Sequence, residues 1–311
     1  MHIVIEFLLL VIGFTLLVKG ADWFVDGACG IAKRFGIPQL IIGLTIVAMG
    51  TSAPEAAVSI TAAVKNNAEI TIGNVVGSNI LNILIILGLS AVIVPLAVAG
   101  QTVRFEIPLV IFSSVLLLLI GFDGQLGILD GMVLWIVFFI YLGYLFYMAK
   151  RSPNSENNDV NSNKITLKKS ILFTLLGLVM IIWGSDISVS SASEIARYFG
   201  ISERFIGLTI VALGTSLPEL FTSVNAARKK NADIAIGNIV GSNIFNILFV
   251  VGTSAIITPV PFADGFVIDT IVSIAAAIIL LVCTIRRKKL TRWSGIVMLI
   301  LYCVYFAYLT A

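Results

Sequence analysis

Gly50-Thr51-Ser52-Ala53-Pro54-Glu55 returns 164 residues later as Gly214-Thr215-Ser216-Leu217-Pro218-Glu219, and this pair decides how the chain is read. Each copy places a carboxylate, two hydroxyls and a proline inside an apolar run. An ionised carboxylate in hydrocarbon is costly, so a glutamate there marks a functional site by default. The proline lacks an N–H and pushes aside the carbonyl four residues back, that of Gly50 or Gly214. Each run is therefore expected to be a broken helix exposing carbonyl, hydroxyl and carboxylate oxygens. Such hard ligands suit dehydrated Na⁺ or Ca²⁺.

The duplication extends outward. Residues 20–95 align with 184–259 without a gap. GLTIVAMGTSAPE at 43–55 faces GLTIVALGTSLPE at 207–219, and IGNVVGSNILNIL at 72–84 faces IGNIVGSNIFNIL at 236–248. Internal repetition of this kind sets the architecture before any detail does.

Composition sets the environment. The 311 residues are 59% hydrophobic and 12% charged, where a soluble domain carries roughly 25% charge. Spans need about 20 mostly apolar residues. Ten are read, at 3–30, 39–64, 70–94, 105–122, 128–149, 168–196, 204–227, 234–258, 266–285 and 291–310. The fold class is an all-α polytopic membrane protein of ten transmembrane helices. Residues 1–149 form the first five-helix repeat, 150–167 a polar Pro/Asn/Ser-rich linker, and 168–311 the second repeat. Five spans per repeat force the second copy upside down, which is the inverted-repeat plan of secondary transporters. The first apolar run lacks a basic leader and continues to about residue 30, so it reads as a retained helix.

Basic residues assign the sides. If the first helix starts outside, sixteen Lys and Arg fall on inner segments and only Lys65, Arg197 and Arg204 on outer ones, with Lys19 inside the membrane. Both termini are then expected outside a cell membrane and the linker in the cytoplasm. Lys19, Asp22 and Asp26 are expected to snorkel or pair locally near the interface, Lys19 with Asp22 or Asp26, with a vestibule role as the alternative. Asp186 and Glu194 occupy the matching third of the sixth span.

The site residues follow from helical spacing. Thr51 and Ser52 share a face with Glu55, and Thr215 and Ser216 with Glu219. Each following span adds a face, Ser78 with Asn82 and Ser242 with Asn246. Gly73 and Gly77, and Gly237 and Gly241, are small-xxx-small pairs that let this face approach the glutamates. Two carboxylates supply a charge of −2 that one Ca²⁺ neutralises, and Na⁺ would compete for the same oxygens. Mg²⁺ dehydrates too reluctantly. Cys29, Cys283 and Cys303 are scattered and His2 is the only histidine. That excludes a disulfide framework, zinc chemistry and histidine catalysis. Nor is Gly-Thr-Ser-x-Pro-Glu a nucleophile elbow. The chain reads as no enzyme, with no cofactor, no nucleic-acid partner and no obligatory protein partner beyond the lipid bilayer.

These paired G-T-S-x-P-E and G-S-N-x-x-N motifs resemble the sodium/calcium exchanger family of the calcium/cation antiporters, across essentially all ten spans. The resemblance implies alternating access at one central site, typically exchanging three Na⁺ for one Ca²⁺. By motif position, Glu55, Glu219, Thr51 and Thr215 would ligate Ca²⁺. Na⁺ would use the glutamates with Ser52, Ser78, Ser216, Ser242 and the carbonyls of Ala48 and Ala212, and Asn82 and Asn246 would line the middle. The first and sixth helices would slide against the core. Potassium-dependent relatives carry Asp at the position of Asn246, so the amide points away from K⁺ dependence. The G-N-x-x-E pattern of proton-coupled calcium exchangers is absent at Gly73-Asn74 and Gly237-Asn238. A Ca²⁺/H⁺ or other cation exchanger is the alternative, and a cation channel the more distant one.

Overall fold

A computed structural model describes residues 2–65, 68–151, 166–200 and 212–310. It is helical throughout, apart from two short ladders. Helix α1 is His2–Phe35. The second span is broken into α2, Gln39–Thr51, and α3, Ala53–Val64, bent by 50°. Helix α4 is Glu69–Ile93, α5 Thr102–Ile120, α6 Ile128–Arg151 and α7 Leu167–Tyr198. Next come α8, Ala212–Thr215, and α9, Leu217–Arg228. The chain ends with α10, Ala232–Ile257, α11, Asp264–Ile285, and α12, Arg292–Thr310.

Eight of these helices are long and apolar enough to cross a bilayer, and the bent α2–α3 pair makes a ninth. The expected span at 204–227 begins outside the described residues, so among them ten crossings are not counted. The expected linker lies almost wholly outside them as well. Among the other spans, α1 runs on to Phe35 because nothing breaks the helix before the turn at Gly36, which has φ +62°.

The break at Ser52 has a local cause. Pro54 occupies the first turn of α3, where its missing N–H costs nothing. One turn upstream the same ring cannot tolerate a continued helix, and Ser52 relaxes to φ −81°, ψ 7°. Ser216 takes φ −90°, ψ 4° ahead of Pro218. Among the described residues four helices also loosen into wider π-helical turns, at Gly43–Val47, Thr102–Glu106, Asn82–Leu87 and Asn246–Val251. The last two start at equivalent asparagines. Such turns inside α-helices concentrate at functional sites.

Packing separates a core from a periphery. Across its central window α10 is 94% buried and α4 72%, whereas α1 is 17% buried. Gly237 and Gly241 let α10 touch the backbone of α2. A Cβ on Gly241 would lie 2.8 Å from the Leu44 carbonyl, and one on Gly237 2.9 Å from that of Leu40. The expected close approach is therefore present in this copy. The matching partner of Gly73 and Gly77 falls among residues 201–211, outside the described set.

Helices α1 and α7 form a separate antiparallel pair. Gly13, Gly20 and Gly27 recur every seven residues and face Gly184, Gly177 and Thr174. The backbones meet closely, since a Cβ on Gly177 would lie 2.5 Å from the Phe24 nitrogen and 2.7 Å from the Gly20 carbonyl.

Two ladders unforeseen in the sequence tie the halves together. Strand β1, Leu96–Ala97, pairs with β4, Lys289–Leu290, and β2, Gln125–Leu126, pairs with β3, Val260–Pro261. Shifting β1 by 164 gives β3, and shifting β2 gives β4. The two ladders are thus images of one another, and the repeat symmetry reaches to residue 290.

Gly241→Val should destabilise the protein by about 1–3 kcal/mol through overpacking against α2. Gly143→Ala, which meets nothing within 4 Å, should be neutral. Thermal unfolding in detergent would show both.

Candidate cation site

The two breaks face each other. Glu55 sits in the first turn of α3 and Glu219 in the first turn of α9, where the positive end of a helix favours a carboxylate. Both are 1% exposed. Each is held by the serine of the opposite copy: Ser52 Oγ donates to Glu219 Oε1 at 2.9 Å, and Ser216 Oγ to Glu55 Oε1 at 3.4 Å. Neither half of the chain can build this arrangement alone. Among the described residues, the ion pairs are Arg197–Glu194 and Lys229 with Asp22 and Asp26. None of the described cationic side chains answers Glu55 or Glu219.

Asparagines frame the centre. Asn82 Nδ2 donates to Asn243 Oδ1 at 2.9 Å, and Asn246 Nδ2 to Asn79 Oδ1 at 3.3 Å. Asn79 and Asn243 in turn donate to each other's backbone carbonyls, both at 3.2 Å. This crossed network uses the NH₂ groups and leaves the Oδ1 atoms of Asn82 and Asn246 without a partner. Glu55 Oε2 and Glu219 Oε2 are likewise buried and unpartnered. Buried polar atoms are normally hydrogen-bonded. Four oxygens, two from each repeat and two of them from carboxyl groups, are the type of ligand a desolvated cation needs.

The remaining expected residues fall around this set. Thr51 is buried, and its hydroxyl lies 3.0 Å from Asn238 Oδ1 and 3.1 Å from the Val47 carbonyl. Ser242 Oγ donates to the Ala48 carbonyl at 3.3 Å, joining two expected ligands across the repeats. Ser78 is buried at the equivalent position, and Thr215 is half-buried at the end of α8. Ala212 opens that helix.

Further residues belong here than the spacing suggested. Asn74 Nδ2 donates to the Glu55 carbonyl at 3.2 Å and to Ser59 Oγ at 2.9 Å. Asn238 does the same for Glu219 and Ser223, at 3.5 and 2.8 Å. They steady the backbone beneath each glutamate. Asn79 and Asn243 stand inside the G-S-N-x-x-N motif itself, so their signal was the motif's first asparagine. No group of three or more His, Cys, Asp or Glu suited to a metal occurs among the described residues. Here two carboxylates are supplemented by neutral oxygens.

Two findings lie outside this set. Glu106 is fully buried in a π-helical turn of α5 and accepts from Tyr144 at 2.8 Å. The position 164 residues on is Thr270, so repetition could not reveal it. The local pairing expected for Lys19 is corrected: Asp22 and Asp26 pair with Lys229, at 3.2 and 2.8 Å. Folding brings the end of α9 beside α1, and a lysine 203 residues from Asp26 wins over one on the same helix.

Known proteins share this plan. A model described as sodium/calcium exchanger protein matches residues 5–147 and 169–311. The putative antiporter CaxA of Alkalimonas amylolytica is 40% identical over 303 residues, covering 96% of this chain and 95% of its own. The sodium/calcium exchanger MaX1 of Methanosarcina acetivorans is 33% identical, covering 96% and 97%. A solved structure of the sodium-calcium exchanger NCX_Mj superposes with a TM-score of 0.85 at 34% identity, over 99% of each chain.

Asn243→Ala should release the Asn82 amide and weaken cation affinity by about 10- to 100-fold, the usual cost of removing a residue that orients a ligand. Ca²⁺ titration of the purified protein in detergent would measure it.

Proposed function

Because the chain belongs to the sodium/calcium exchanger family of membrane cation antiporters, we propose that it exchanges Na⁺ for Ca²⁺ by alternating access at the site described above. The observation that carries this reading is the set of four buried, unpartnered oxygens, Oε2 of Glu55 and Glu219 and Oδ1 of Asn82 and Asn246. In this reading Glu55, Glu219, Thr51 and Thr215 hold Ca²⁺. Na⁺ uses the glutamates with Ser52, Ser78, Ser216, Ser242 and the carbonyls of Ala48 and Ala212. The asparagine amides line the middle.

Charge sets the coupling. A site of charge −2 is neutralised by one Ca²⁺. Empty, it resists switching, because bare carboxylates would be sealed into a low-dielectric enclosure. Occupancy thus licenses the change of access, which makes transport an exchange rather than a leak. At three Na⁺ per Ca²⁺ one net charge crosses per cycle, worth about 2.3 kcal/mol per 100 mV. An inside-negative potential then drives Ca²⁺ outward.

The same reading takes residues 1–149 and 168–311 as inverted repeats joined by the linker 150–167. It places both termini outside and the linker in the cytoplasm. The Lys/Arg asymmetry supports this. So does the pairing of β1 with β4, both from segments assigned to the inner side, and of β2 with β3, both from outer ones.

Proteoliposomes loaded with Na⁺ and diluted into Na⁺-free medium should take up Ca²⁺, while K⁺-loaded vesicles should not. Uptake driven only by a proton gradient would reassign the coupling ion. Glu55→Gln or Glu219→Gln should abolish the flux, and full flux in either variant would sink the site assignment. Acid should inhibit, because protons titrate the carboxylates that bind the cation. A rate that climbs steadily as pH falls would contradict that.

A further inference from the structure

The repeats carry a second matched set of polar residues, and the structure treats its two copies differently. In one, Asn225 Nδ2 donates to Asp22 Oδ1 at 2.9 Å. Lys229 Nζ lies 3.2 Å from Asp22 Oδ1 and 2.8 Å from Asp26 Oδ1, and donates to the Asp22 carbonyl at 3.0 Å. These contacts tie α1 to the end of α9, where Lys229 caps the helix.

Shifted by 164 residues, the same set is Asp186 on α7, with Thr61 and Lys65 on α3. Lys65 caps α3 as Lys229 caps α9. Here the residues stand apart. Asp186, Thr61 and Lys65 are exposed. Among the described residues no hydrogen bond or ion pair joins Asp186 to Thr61 or Lys65. Instead, Thr61 and Lys65 border an open hollow at the surface with Ala57, Val58, Ala62 and Ile70.

The two sets lie toward opposite ends of the α1–α7 pair. Gly13 meets Gly184 and Ser188, and Gly20 meets Gly177, so Asp186 is level with about residue 12 of α1. That is some ten residues from Asp22, or about 15 Å at 1.5 Å per residue. The interlocked glycine seam makes α1 and α7 one body. Motion that pulls Asp22 away from Lys229 must therefore also move Asp186 relative to Lys65.

We propose that these are reciprocal ionic gates. Asp22, Asp26, Asn225 and Lys229 hold one face of the transporter shut, as in this structure. Asp186, Thr61 and Lys65 join to shut the opposite face when the first set parts. The gates are unequal. Asp26 has Ser190 as its counterpart, so the Lys229 gate holds two carboxylates and the Lys65 gate one. Ser185 Oγ on α7 also donates to the Gly214 carbonyl, the one displaced by Pro218, at 2.6 Å. Its counterpart, Ala21, has no hydroxyl to offer Gly50. Both inequalities favour the present arrangement, so the protein rests with the Lys229 face closed. The proposal depends on the alternating-access reading but not on which ions are carried.

Single cysteines read the two faces in a chain whose Cys29, Cys283 and Cys303 are replaced by alanine. Val58→Cys reports the open hollow. Thr222→Cys, its counterpart and fully buried, reports opening of the Lys229 face. In vesicles with Na⁺ on both sides, a small charged maleimide should label Val58→Cys fast and Thr222→Cys slowly. Adding Asp22→Asn with Asp26→Asn should slow the first and speed the second by about threefold, the scale of part-exposed ion pairs. Asp186→Asn should slow labelling of Thr222→Cys further without slowing Val58→Cys. Simple loosening of the fold would raise both rates. Rates that rise together, or that respond to neither neutralisation, would overturn the gates. Loss of Na⁺-driven Ca²⁺ uptake in the parent chain would count against the transport reading alone, because labelling does not depend on it.

Discussion

The site rests on two buried carboxylates that, among the described residues, have no cationic side chain to pair with them. Glu55 and Glu219 are each 1% exposed. A carboxylate kept ionised in such a place needs compensation, because an uncompensated buried charge is strongly destabilising. Here the compensation is partial and neutral: helix N-termini and one serine hydroxyl apiece, with the buried amide oxygens of Asn82 and Asn246 left unpartnered on helices that pack against the two broken spans. In the exchange proposed for this chain, a bound cation supplies that charge. A site built this way is stable when a cation enters it and strained when none does, and that difference is what an exchanger uses to forbid empty crossings.

The duplication explains how one polypeptide meets that requirement. Ser52 serves Glu219 and Ser216 serves Glu55. Asn79 orients Asn246, and Asn243 orients Asn82. Both glutamates and both inner asparagine amides are held from the other half, while Asn74 and Asn238 steady each glutamate's backbone from its own half. The same relation governs the rim, where β1–β4 and β2–β3 are images of each other. The gate residues break it: one set is joined and its image is apart. A symmetric sequence held in an asymmetric conformation is what alternating access requires of an inverted repeat.

Much of this was legible in the chain. The repeated motif located both breaks, because proline acts through local geometry and spacing along a helix fixes which oxygens share a face. Glu55, Ser52, Asn82 and their copies needed no long-range information. Other features depended on it. Asp22 has Lys19 three residues away, yet it pairs with Lys229, because the packing of α1 on α9 is a tertiary fact that helical spacing does not contain. Asn79 and Asn243 were visible in the motif, but their role depends on two helices crossing at that level. The two-residue ladders are too short to leave an alternating pattern. Glu106 has no copy, so repetition gave no reason to notice it.

The central claim is that the two halves make a single shared cation site. Equilibrium binding of Ca²⁺ to the purified protein in detergent, with Glu55→Gln and Glu219→Gln beside the parent, tests it most directly. The account predicts one Ca²⁺ per chain, displaced by Na⁺, and loss of that binding in either single variant, since each half supplies half the ligands. Two Ca²⁺ per chain, or a variant that keeps parental affinity because the other copy binds alone, would contradict it.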